Sequence, residues 1–219
     1  MSRLYAVIAS VEQVAAHFGT VPAPGTIAPF EVVEGAPGLV VFEKHGRRVL
    51  RNMSWGFPRL TREMRERGDP PGVIGLVADL TNPMWDRLVV DTRYRCLIAL
   101  THFANPDGVP GGKTRTWFSI AGQPIVAWAG FCRNTPEHGT VYAGMTMEAC
   151  AAIPPTNDRM PVLLERDEYD RWLRGSIQDV VEFQYRAPIA AERMVIERTE
   201  DLWRSNGLPA AANPQPSLL

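Results

Sequence analysis

Apolar and polar positions alternate with period two over Thr114–Ile120. Thr114, Thr116, Phe118 and Ile120 fall on one face, and Arg115, Trp117 and Ser119 on the other. Both faces carry bulky side chains, which predicts a strand covered on two sides. Continuous apolar runs at Ile125–Phe131, Val141–Met147, Val73–Val77 and Cys96–Leu100 predict further buried strands, with Met194–Glu197 as a last one. Leu39–Phe42 and Val49–Leu50 read as a strand pair around the polar turn 44–47. Helical spacing is confined to short stretches. Ser10-Val-Glu-Gln13 is a capping box, Val11, Val14, Ala15 and Phe18 share one helical face, and Gly19 stops the helix. A short helix is expected near Met84–Val90. Another spans Asp167–Leu173, ends at Gly175 and buries Tyr169, Trp172 and Leu173. Residues 20–38 are rich in proline and glycine and read as ordered loop, and residues 59–72 as a charged surface excursion with about one helical turn. With neither a linker nor a repeat, these elements predict a single α+β domain over residues 1–205. Its core is a curved, mostly antiparallel β-sheet or barrel with short peripheral helices. The Pro-, Ala- and Asn-rich residues 206–219 read as a disordered C-terminal tail.

Composition changes this picture little. The chain has 219 residues, 45% of them hydrophobic, enough for a sizeable core. A net charge of −1 lacks the strongly basic balance typical of dedicated nucleic-acid domains, while leaving room for a local basic groove. Cys96, Cys132 and Cys150 are widely spaced, without a paired-cysteine or nearby histidine pattern. That argues against a disulfide framework and a structural zinc site, and for small buried side chains in a reducing compartment. No metal or other cofactor is expected. The apolar opening Leu4–Ala9 is too short for a signal peptide and no run reaches membrane-spanning length, so a cytoplasmic location is expected.

Several short segments carry more information than the composition. They are the opening Met1-Ser-Arg-Leu-Tyr5, then Met53-Ser-Trp-Gly-Phe-Pro58, Asn82-Pro-Met-Trp85, Arg95-Cys-Leu-Ile98, Asp158-Arg-Met-Pro-Val-Leu-Leu164 and Tyr169-Asp-Arg-Trp-Leu173. In this order and spacing, from Met1 to about Glu197, the chain resembles the SOS response-associated peptidase family. The resemblance implies a sensor of abasic sites in single-stranded DNA that acts through an N-terminal cysteine. In that chemistry the α-amine forms an imine with the ring-opened sugar, and the thiol closes it to a thiazolidine.

Carried over residue by residue, the family's reactive positions fall on Ser2, Leu76, Asn105 and Asn157. Ser2 stands in the place of the cysteine and has a hydroxyl, a much poorer nucleophile. Leu76 takes the place of an asparagine, with Asn82 as the alternative under a shifted alignment, and Ala78 takes that of an arginine. Asn105 replaces a glutamate and Asn157 a histidine, so no family position retains a side chain that titrates near neutral pH. A kept framework around a neutralised pocket is expected of a pseudoenzyme that retains at most non-covalent DNA binding. Two other readings remain open. One is a residual reagent that forms a reversible imine through the Ser2 amine once Met1 is removed. The other is a scaffold for a protein or small molecule.

For a single-stranded DNA partner, Arg3, Lys44, Arg47, Arg48 and Trp55 combine cations for phosphates with a flat ring for a base. The competing reading is a solvated hairpin tip and a core tryptophan. His102 could be a displaced imidazole, but a hydrogen-bonded rim histidine is the simpler reading. A Thr101–His102 dyad is disfavoured, since neighbours on a strand point to opposite faces.

Overall fold

A computed structural model of the chain describes residues 3–154 and 157–203. Two large sheets and a two-stranded ribbon, Phe57–Arg59 with Gly72–Ile74, make up the described β-structure. The first is antiparallel throughout, in the order Met194–Leu202, Thr114–Ile120, His102–Asp107, Leu4–Ala6, Glu31–Val33. The second runs Arg159–Pro161, Gly139–Glu148, Val126–Thr135, Arg95–Leu100, Pro37–Lys44, Arg47–Trp55, Val21–Pro22. It closes on itself, because Ser54 and Trp55 pair in parallel with Val141 and Tyr142. Five long strands therefore form a barrel, which removes the two open edges such a sheet would otherwise expose. Its strands are antiparallel apart from this closing pair, and short helices lie around it, so the single α+β domain with a mostly antiparallel barrel is the observed architecture.

The local chemistry accounts for the elements. Ser10 and Gln13 close their capping box at the helix Val11–Phe18, and Gly19 ends it in the left-handed region at φ 60°. The turn joining Pro37–Lys44 to Arg47–Trp55 has positive φ at both His45 and Gly46, the two-residue turn whose twist matches a hairpin. The strand Thr114–Ile120 has the predicted bounds and is buried on both faces. Trp55, Trp117, Trp128 and Trp172 are all fully buried.

Inside the barrel, Trp55 lies edge-on to both Tyr5 and Trp128, with ring centres 5.2 and 5.6 Å apart. The Tyr5 and Tyr142 hydroxyls meet at 2.5 Å above Gly38. A β-carbon on Gly38 would come within 2.0 Å of the first of them. Burial pushes both phenols well above their ordinary range, so this is a neutral hydrogen-bonded pair.

The structure corrects several expectations. Residues 20–38 contain two short strands, Val21–Pro22 and Glu31–Val33, each too brief for a periodicity signal. The first hairpin strand is twice and the second more than four times the expected length, because exposed polar positions alternate irregularly with buried ones in Arg47–Trp55 and mask the apolar signal. A helix at Ile177–Tyr185 goes unpredicted, although Ser176 and Asp179 form its capping box. The strand expected over Cys96–Leu100 is present as Arg95–Leu100, and past a break at Thr101 the chain continues as a second strand, His102–Asp107, in the other sheet. There the chain is turned by Thr101 N–H donating to Ala6 O and by Ile8 N–H donating to the Thr101 hydroxyl. The stretch read as a disordered tail, 206–219, lies outside the described residues.

Candidate functional site

The strand Leu4–Ala6 is held between Glu31–Val33 and His102–Asp107, with Leu4 opposite Val33 and Tyr5 opposite Phe103. This pairing brings the start of the chain to Glu34 on one side and towards Asn105 on the other. Arg3 donates to the Glu34 carboxylate at 3.0 Å. The arginine side chain is 65% exposed and the glutamate only 10%, so the carboxylate is the fixed member of the pair. Its other oxygen accepts the Gly75 N–H at 2.6 Å, and the Gly75 carbonyl accepts from the Trp55 indole at 2.8 Å. A β-carbon at Gly75 would sit 2.6 Å from that indole nitrogen and 2.8 Å from Glu34, which leaves glycine as the residue that fits.

Leu76 follows directly and pairs with Gly144. Asn82, the alternative under a shifted alignment, is exposed and accepts a hydrogen bond from the Met84 N–H within its own turn. The backbone of Gly75, next to Leu76, is thus bonded to Glu34, whereas Asn82 is bonded within its own turn. Glu34 is the residue missed by sequence reasoning; Val-Val-Glu-Gly belongs to no motif, and only the sheet pairing brings it to the N-terminus.

Asn105 is buried on the next strand, opposite Thr116. The side-chain amide of Asn157 donates to Pro106 O at 3.2 Å, so the loop carrying Asn157 is tied to the strand carrying Asn105. Ser2 lies outside the described residues. Arg159 donates to Ala78 O at 2.9 Å and Thr146 O at 2.5 Å, and fixes the segment after Leu76 against the barrel. The set is polar around Asn105 and Asn157, apolar at Leu76, and contains one carboxylate, Glu34.

The cationic candidates do not form one patch. Lys44 and Arg47 are exposed at the hairpin tip. Arg48 instead donates to Asp170 at 2.7 Å and to Phe18 O at 3.2 Å, and lies over the Tyr169 ring, which commits it to bracing the helix Tyr169–Arg174. Trp55 has no exposed surface, so its ring presents no face to a base in this conformation. Among the described residues there is no group of three or more His, Cys, Asp or Glu side chains placed to hold a metal. Nor is any described helix long and apolar enough to cross a membrane.

Thr101 and His102 do touch, contrary to the strand-alternation argument, because Thr101 sits at the break between the sheets. His102 Nδ1 lies 2.9 Å from the Thr101 hydroxyl. That hydroxyl spends its one proton on Ala6 O and accepts from Ile8 N–H, so it can only accept from the imidazole. The contact is structural rather than a nucleophile with its base.

Burial lowers the His102 pKa from 6.5 to about 4. Its stabilising effect is thus complete above pH 6.5 and is lost progressively as pH falls through the folded value. We expect the melting temperature to fall between pH 6.5 and 4, with His102→Gln flattening that decline. Part of it remains through His17, which is also lowered, first by burial and then by Arg166. An unchanged pH profile for His102→Gln would remove His102 from this account.

The fold and the gathered positions define a class: a closed barrel whose N-terminal strand is drawn into a second sheet, with its candidate site beside that strand. The same fold occurs in solved structures. A protein from Bacteroides thetaiotaomicron superposes with a TM-score of 0.71 at 16% identity, covering 90% of this chain and 91% of the other. One from Bordetella bronchiseptica gives 0.71 at 20% identity, with 90% and 99% covered. A phage-related protein from the same bacterium gives 0.63 at 16% identity, with 90% and 93% covered. No curated protein matches the chain. The sequence matches the SOS response associated peptidase (SRAP) family over residues 1–201, and the chain belongs to that family.

Proposed function

We propose that this protein is a catalytically degenerate member of its family that binds single-stranded DNA, including abasic-site DNA, without forming a stable covalent link. The observation that carries the proposal is the side-chain inventory beside the N-terminal strand. Leu76 is apolar, Asn105 is a buried amide, and Asn157 is committed to a backbone carbonyl. Ser2 supplies a hydroxyl where the family's chemistry needs a thiol. None of these groups can accept or deliver a proton near neutral pH, and a serine hydroxyl without a base is a poor nucleophile.

A second reading is favoured by one observation, the fixed Glu34 carboxylate paired to Arg3, the residue after Ser2. A carboxylate there could assist a reversible imine formed by a free Ser2 amine.

Denaturing gels of the protein with an oligonucleotide carrying one abasic site, run with and without borohydride, separate these readings. The proposal expects no adduct in either lane and a shift of the same DNA on a native gel. An adduct formed without reductant would sink it. An adduct seen only with borohydride, and weakened by Glu34→Gln, would establish the imine reading. Absence of any native shift at low salt would point instead to a scaffold that ignores nucleic acid, because phosphate contacts are strongest there.

A further inference from the structure

The barrel has a second concave surface away from the N-terminal strand. A groove of about 570 Å³ lies at the mouth formed by the hairpin tip, the start of the strand Arg95–Leu100 and the turn between Val126–Thr135 and Gly139–Glu148. Lys44, Arg51, Arg93, Tyr94 and Arg133 line it. A neighbouring groove of about 430 Å³ continues it through the shared residues Tyr94, Arg133 and Asn134 and adds Arg87. Thr140 at this mouth and Gly144 beside Leu76 lie on one strand, about 13 Å apart at roughly 3.3 Å per residue.

Among the described residues, exposed cations without a carboxylate partner occur elsewhere, as at Arg47, Arg59, Arg65 and Lys113, but four of them line this mouth and its extension. Arg48, Arg171, Arg174, Arg186 and Arg193 are each committed to a carboxylate. Within the groove, Arg93 is matched by Asp91. Lys44, Arg51, Arg87 and Arg133 are exposed and have no carboxylate within 4.0 Å among the described residues. Glu137, on the outer rim, is the nearby exception in sign. A chain of net charge −1 thus gathers unneutralised cations in one concave place.

Tyr94 stands among them, half-buried, with Arg87 and Arg93 each 5.8 Å from its ring centre. Cations along a groove with an aromatic ring inside it suit a flexible polyanion whose bases can stack. A lipid surface would instead favour a projecting apolar patch.

We propose that this groove carries the phosphate backbone of single-stranded DNA, with Lys44, Arg51, Arg87 and Arg133 on phosphates and Tyr94 beneath a base. This rests on the DNA-binding reading above and adds a path for the strand outside the N-terminal site.

Fluorescence anisotropy of a labelled oligothymidylate of about 15 nucleotides, titrated at several salt concentrations, tests it. Against wild type we would compare the combined K44Q, R51Q and R133Q variant, Tyr94→Leu, and Arg3→Gln as a variant of the N-terminal segment. The three groove positions are exposed, so an unchanged melting temperature is expected and confirms folding. Losing three phosphate contacts should flatten the log K against log salt slope by about 2 and weaken low-salt affinity on the order of tenfold or more. Tyr94→Leu should weaken binding roughly tenfold with the slope kept, and Arg3→Gln should retain the groove-dependent slope.

If wild type binds and the triple variant binds equally well with the same slope, the groove assignment is wrong while the DNA-binding reading stands. If wild type does not bind at low salt, both fail. Sedimentation with anionic phosphatidylserine vesicles in place of oligonucleotide binding would assign the groove to a membrane and overturn the proposal.

Discussion

Replacing Gly144 by alanine is expected to cost more than about 4 kcal/mol and to leave little folded protein at physiological temperature. A β-carbon at this position would meet Trp128 Cζ2 at 1.9 Å and Cε2 at 2.1 Å, far inside van der Waals contact. The indole cannot swing aside. Its N–H is bonded to Met145 O at 2.6 Å, and its ring is packed edge-on against Trp55 at 5.6 Å and Tyr5 at 5.9 Å. The backbone cannot retreat either, because Gly144 is paired on both sides, to Gly130 and to Leu76. In a protein of this size about 4 kcal/mol corresponds to roughly 8–16 °C in melting temperature. Gly19→Ala is the contrasting control: it sits at positive φ, unlike Gly144, but nothing lies within 4 Å, so only about 1 kcal/mol of backbone strain is expected. Adding Trp128→Phe should make Gly144→Ala cheaper than the sum of the two single changes, since the smaller ring vacates the contested space. A melting temperature for Gly144→Ala within a few degrees of wild type would show that the barrel wall yields in a way the packing does not suggest.

Gly144 also illustrates what the sequence could and could not reveal. The run Val141–Met147 announces a buried strand, but nothing in it says that a tryptophan from the neighbouring strand lies on its glycine. Barrel closure is equally silent, because it depends on a parallel contact between Ser54–Trp55 and Val141–Tyr142, nearly ninety residues apart. Period-two alternation and capping residues are local signals, and the elements they mark were legible: Thr114–Ile120 and the helix Val11–Phe18 are in place.

The candidate site divides along the same line. Leu76, Asn105 and Asn157 were placed by motif order, and the structure connects them to the N-terminal strand through Gly75, Pro106 and the sheet pairing. Glu34 and the cationic groove escaped the sequence reading apart from Lys44, since their partners come from segments distant in the chain. Trp55, whose neighbours suggested a base-stacking platform, is a core residue, because the strand buries its inward positions around Tyr5 and Trp128.

Arg95→Met is expected to destabilise the protein by roughly 3–5 kcal/mol and to do so unevenly. The side chain is buried, 1% exposed, and its guanidinium lies over the Trp172 ring and donates to four carbonyls: Trp172 O at 3.1 Å and Gly175 O at 2.7 Å from one nitrogen, Val89 O and Ser176 O at 3.3 Å from the other. These oxygens end the helices Asp86–Val90 and Tyr169–Arg174 and begin Ile177–Tyr185. The last carbonyls of a helix have no partner within it, and their dipoles favour a cation, so one arginine satisfies the ends of two helices at once. Burial lowers its pKa, yet a guanidinium is so strongly basic that it stays charged at neutral pH, where a lysine would lose both reach and the planar fork. Methionine fills similar space but removes the donor to the buried Trp172 and Val89 carbonyls and to the part-buried Gly175 and Ser176 carbonyls, of which Ser176 O keeps the Val180 N–H. Hydrogen exchange read by mass spectrometry should therefore quicken first in 86–90 and 169–185, with the barrel strand 126–135 still protected. Arg95→Lys should fall between wild type and Arg95→Met, as it can meet only some of the same oxygens. Uniform loss of protection along the chain would mean that Arg95 supports the barrel itself rather than the helices docked on it.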